Sequence, residues 1–132
     1  MLTVLFDRFR APLDMAGRVL LSVIFIVAGY GKIGGYDGAA GYMEAMGVPG
    51  ALLPLVIIAE LGGGIAILLG FLTRPVAVAL AGFCVLSGVL FHSAPDQMNQ
   101  IMLMKNMAIA GGLLVLAANG AGAWSLDARC SG

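Results

Sequence analysis

Apolar residues fill four long stretches of this chain, 14–31, 50–70, 72–91 and 98–119, and the polar residues gather between them. No stretch has the polar stripe that a helix on the surface of a soluble bundle would show. Each holds about 18–22 residues, and ~20 residues of helix rising ~1.5 Å each cross a ~30 Å hydrocarbon core. The pattern predicts an all-α fold, an integral membrane four-helix bundle, forming a single transmembrane domain over residues 1–132. Boundary residues agree with the count. Thr73 with Pro75 two places later predicts a helix start, where the hydroxyl caps free amides and the proline loses no hydrogen bond. Asp96 before Gln97-Met98-Asn99 predicts a second cap. Gly34-Gly35-Tyr36-Asp37-Gly38 predicts a turn or irregular loop, and 39–46 a short helix at the surface. Tyr36, Tyr42 and Trp124 suit interfacial belts. The two helix hairpins do not match each other in motif order, so no internal repeat is read.

Composition sharpens the class. The chain is 61% hydrophobic and 11% charged, with mean hydropathy +1.02, too little polar surface for a soluble domain of 132 residues. The formal net charge is zero, which gives no electrostatic case for nucleic acid. Arg8 and Arg10 before an apolar run have the order of a signal peptide, but no small-x-small cleavage site follows. The first segment therefore reads as a retained helix or signal anchor. Arg8, Arg10, Arg18, Arg74 and Arg129 lie toward one side of the four spans, against Lys32 and Lys105 toward the other. That bias predicts cytoplasmic N and C termini in a bacterial inner membrane. Cys84 and Cys130 differ too much in depth for an easy bridge, and no C-x-x-C exists.

Charge in hydrocarbon costs at least a few kcal/mol per residue, so such residues usually face the bundle interior and pair. Arg18 lies in the first stretch, Glu60 at the centre of the second, His92 at the end of the third and Lys105 early in the fourth, next to Asn106. Helical spacing sets them beside small residues. Gly63 and Gly64 follow Glu60, Gly88 precedes His92, and Gly29 shares the Arg18 face with Ser22 and Phe25. Small residues let helices approach closely in lipid. Glu60 lies near the midplane, and the expected partner is Lys105 or Arg18, whose long arms reach inward. Lys105 and His92 are expected to form the outer half of a shared polar site, with Asn106 as an adjacent donor. Three readings stay open: an intramembrane salt bridge that sets helix register, a ligand or quinone pocket, and a short proton or ion path. A haem is disfavoured, since His92 is the sole imidazole. No set of residues has metal-ligand spacing. Met98, Met102 and Met104 read as adaptable packing.

The chain resembles the DoxX family of small bacterial membrane proteins over about residues 12–127. The matching pieces are Gly17-Arg18-Val19-Leu20-Leu21 leading to Phe25 and Ala28-Gly29-Tyr30-Gly31-Lys32; Glu60-Leu61-Gly62-Gly63-Gly64 with Leu69-Gly70-Phe71-Leu72-Thr73-Arg74; His92; Lys105-Asn106; and Gly120-Ala121-Gly122-Ala123-Trp124-Ser125-Leu126-Asp127. The resemblance implies a four-helix inner-membrane bundle. It also implies a link, in some members, to thiosulfate:quinone oxidoreduction or oxidative-stress complexes. Arg18, Lys32, Glu60, His92, Lys105, Asn106 and Asp127 carry over as the polar positions, with no catalytic role attached.

The chain holds no flavin motif, haem ligand pair or dithiol, so no intrinsic cofactor is expected and a bound quinone or lipid is the candidate guest. The leading functional reading is an accessory subunit of a larger membrane redox complex, partnered by the bilayer and by a membrane protein or a second copy, and not an enzyme by itself. The alternatives are a structural or assembly protein and a small-molecule transporter. Four-helix multidrug exporters carry their glutamate in the first helix, whereas Glu60 is in the second.

Overall fold

In a computed structural model describing residues 2–130, the chain is helical nearly throughout. The elements are α1 (Leu2–Arg8), α2 (Arg10–Gly34), α3 (Tyr36–Ala45), α4 (Gly50–Leu69), α5 (Thr73–Phe91), α6 (Gln97–Asn119) and α7 (Leu126–Cys130). α2, α4, α5 and α6 are each long and apolar enough to cross a membrane. They run close to the four predicted stretches. The main departure is at α2, which continues to Gly34 and restarts as α3 at Tyr36. Only Gly35 interrupts the two helices, so the expected irregular turn over 34–38 is absent. Gly34 and Gly38 have no neighbour to crowd them, and nothing there penalises continued helix.

The spans associate as two pairs, α2 with α4 and α5 with α6. Between them lies a small-residue core of Phe25, Ile67, Ala77, Leu80, Ala81, Cys84, Ala110, Leu113 and Ala117. Lipid-facing Leu, Val and Ile supply no hydrophobic drive to associate in a bilayer, so close van der Waals contact must hold the helices. The α2–α4 crossing shows how. A Cβ on Gly29 would stand 2.9 Å from the Leu61 amide nitrogen, and one on Gly64 would stand 3.0 Å from Phe25 Cβ. Glycine at both places brings the two backbones together.

α4 is not one regular helix. It opens with a 3-10 turn at Gly50–Leu52, runs as α-helix over Leu53–Ile57, widens to a π-turn at Ile58–Gly62 and resumes as α-helix over Gly63–Leu69. π-turns are rare and often sit at functional sites. Glu60 lies inside this one.

The end that carries both termini is closed by polar bonds. α4 stops at Gly70, which is left-handed at φ +71°. Arg18 caps the last turn, donating from Nη1 to the carbonyls of Leu68 at 3.0 Å and Ile67 at 3.3 Å, and from Nη2 to Trp124. Those carbonyls sit at the negative pole of the helix end, so a cation is the natural cap. Asp127 receives the amides of Leu72 at 2.7 Å and Thr73 at 2.9 Å, and returns its own amide to Gly70 at 2.8 Å. α5 is therefore capped from a distance by Asp127, and not by the Thr73 hydroxyl as the local sequence suggests. Arg74 donates to Ala117 at 2.6 Å, tying α5 to the end of α6. The Asp96 cap is as expected, accepting the Asn99 amide at 3.2 Å.

Candidate functional site

A cavity of about 270 Å³ opens between the spans at the end away from the termini. Its walls are apolar, with Phe25, Phe83 and Phe91 among them, and its polar groups are Lys32, Glu60, Ser87, His92, Lys105 and Asn106. α3 packs across it through Ala39, Tyr42 and Met43. Met43 is buried and Tyr42 stacks on Phe91 with ring centroids 5.5 Å apart. The short helix expected at the surface over 39–46 thus covers a cavity.

Glu60 is 6% exposed. Its partner is Lys32, with Nζ 2.8 Å from Oε1, not Lys105 or Arg18 as its depth suggested. Two features decide this. The longer α2 carries Lys32 in its last turn, one turn beyond Gly29, and the Gly29–Leu61 crossing brings that turn over Glu60. The Nη1 and Nη2 groups of Arg18 are meanwhile engaged elsewhere. It is 1% exposed and caps α4 at Ile67 and Leu68, seven and eight residues beyond Glu60, or roughly 11 Å of helix. Arg18 therefore does not belong to the cavity. Asp14, four residues before Arg18, lies 3.9 Å from Arg10.

The remaining expected donors divide. Asn106 gives its amide hydrogens to the Cys84 carbonyl at 3.1 Å and the Ser87 hydroxyl at 3.3 Å, so it binds α6 to α5 and has little left to donate. Gly88 makes room for it, since a Cβ there would meet Asn106 Nδ2 at 3.2 Å. His92 Nδ1 lies 3.2 Å from Asn99 Oδ1, while Asn99 Nδ2 donates to Asp96 at 2.6 Å. The second bond orients the amide, so its oxygen faces the ring and Nδ1 carries the proton. A neutral His92 is then left with Nε2 as an acceptor. Lys105 lines the cavity, is exposed, and has no acid partner among the described residues. Among the described residues it is the one cavity lysine outside an ion pair.

Sequence reasoning grouped Glu60, His92, Lys105 and Asn106, and the structure brings these four to one cavity. It understated Lys32, one residue past the first predicted stretch, and missed the part played by Asn99. Its spacing of seven from His92, across a turn capped by Asp96, was the available signal. Among the described residues no group of three His, Cys, Asp or Glu is placed to hold a metal ion.

The fold and cavity define a four-span helical membrane protein with a polar site enclosed near one end. The family model of DoxX matches residues 13–93, and the chain belongs to the DoxX family. It is 55% identical over 114 residues to the inner membrane protein YqjF of Escherichia coli (strain K12), covering 86% of this chain and 88% of YqjF. It is 37% identical to the inner membrane protein YphA of the same organism, over 94% of each chain. A shorter match, 33% identical over 48% of each chain, is to CatD of Bacillus subtilis (strain 168), provisionally named an oxidoreductase. No solved structure matches. With four apolar helices and these relatives, the protein is a multi-pass inner-membrane protein.

Proposed function

We propose that the protein is an accessory, ligand-holding subunit of a membrane redox complex, and that its cavity takes the ring of a quinone or a similar small cyclic compound. The observation that carries this is the cavity itself: about 270 Å³, aromatic on its walls, with Lys105 and His92 at its polar end and the π-turn of Glu60 alongside. Ligand sites are concave and mostly apolar, with a few placed polar groups. A volume of this size suits one or two rings, so a polyprenyl tail would have to leave by the mouth. Lys105 would donate to a ring carbonyl, and His92 Nε2 would accept from a ring hydroxyl. The chain supplies no electron carrier, so electrons would come from a partner subunit or from the quinone pool. The distant similarity to CatD agrees with a redox context.

The test is retention of a short-tailed quinone by purified protein in detergent, read by equilibrium dialysis against empty micelles. Wild type should retain it, and His92→Ala and Lys105→Ala should lose it while keeping the thermal midpoint. If both variants lower the midpoint and wild type retains no quinone, the polar groups are structural glue and the reading is wrong.

A further inference from the structure

The charge inside the cavity does not balance. Lys32 and Glu60 neutralise each other at 2.8 Å, and Lys105 adds a positive charge with no acid facing it among the described residues. His92, held through Nδ1 against Asn99, supplies no negative counter-charge. Asn106, the neighbour of Lys105, is turned toward α5 by its bonds to Cys84 and Ser87. A cation beside hydrocarbon is normally paired, and this one is left unpaired on the wall of a cavity large enough for a guest. Building on the ligand-holding reading above, we propose that the cavity selects a guest with a negatively charged polar end, a phenolate, enolate or carboxylate on a small ring, and that Lys105 is its counter-ion. The Phe83 and Phe91 rings then take the apolar face of the guest. A charge-assisted hydrogen bond is stronger than a neutral one, so the charge becomes a basis for selection among rings of equal size.

Two probes of nearly equal shape isolate the charge: 2-hydroxy-1,4-naphthoquinone, ionised at neutral pH, and 1,4-naphthoquinone, which is neutral. Binding is measured by equilibrium dialysis on full-length protein in zwitterionic nanodiscs, with empty nanodiscs as the blank. Wild type should bind the ionised probe roughly tenfold or more tightly than the neutral one. Lys105→Gln should weaken binding of the ionised probe far more than of the neutral one, so that the preference is lost, and Lys105→Arg should restore it. The thermal midpoint of each variant reports folding. Equal binding of both probes by wild type overturns the charge selection and leaves the ligand cavity standing. A preference that survives Lys105→Gln overturns the counter-ion assignment. Binding of neither probe overturns the cavity reading, and the selection falls with it.

Discussion

Lys32 and Glu60 form an ion pair that a polar solvent would hardly reward, and whose value changes with depth. Removing one partner of a buried pair costs about 3–5 kcal/mol in known cases, because the other charge is stranded, whereas replacing both with apolar groups can be nearly neutral. Lys32 is partly exposed, so the lower part of that range applies. Lys32→Met should therefore lower the unfolding midpoint in detergent, and Lys32→Met with Glu60→Leu should recover most of the loss. A double variant worse than either single one would show that the pair does more than neutralise charge. Asp127 makes a different residue-scale prediction. Burial pushes its carboxyl up, but the Thr73 and Leu72 bonds and the nearby Arg18 charge outweigh that and hold it below the ordinary value. A carboxyl with a lowered native pKa stabilises the fold above its unfolded pKa of about 3.9, and the contribution is lost as pH falls through the native value. The midpoint difference between wild type and Asp127→Asn should be largest near neutral pH and shrink on acidification below about 4. A difference constant with pH would mean that the carboxylate charge is not what closes this end.

At the scale of elements, the α2–α4 crossing is the feature on which the site depends. Alanine is the better helix former, by about 1 kcal/mol over glycine in water. At Gly29 that gain meets a Cβ placed 2.9 Å from the Leu61 backbone, which cannot move aside as a flexible side chain can. Overpacking typically costs about 1–3 kcal/mol, so strain wins. Gly29→Ala should destabilise the bundle and weaken quinone retention by shifting Lys32 off Glu60. Gly82→Ala, where nothing lies within 4 Å, should be neutral or slightly stabilising. Comparable losses at both positions, measured by unfolding in detergent, would remove the close crossing as the explanation. The π-turn belongs to the same scale. It widens α4 where three glycines follow Glu60, and those glycines leave the backbone free to depart from regular α geometry.

For the whole molecule, the two ends have separate jobs. One is tied by Arg18, Arg74 and Asp127, which satisfy helix termini with side chains from other segments. The other holds the cavity under α3. Orientation follows from the arginines at the terminal end: we expect both termini in the cytoplasm and the cavity toward the periplasm. Maleimide labelling of whole cells checks it. Asp37→Cys, on exposed α3, should react from outside, and the exposed Cys130 should react only after the inner membrane is opened. Labelling of both from the same side would refute the topology.

The sequence by itself determined the four spans, their order and the class of protein. These follow from transfer free energy summed over about 20 residues, a local quantity that needs no contacts. It also marked Glu60, His92, Lys105 and Asn106, because a polar residue in such a run is costly wherever it points. The tertiary structure decided how the polar residues pair. Depth alone offered Glu60 to Lys105 or Arg18, and the glycine-mediated crossing of α2 and α4 gave it to Lys32. Thr73 looked like its own helix cap until Asp127, more than fifty residues on, took the amides. Pairing depends on which backbones touch and at what angle, and that is fixed by packing across the whole bundle, not by spacing along any one segment.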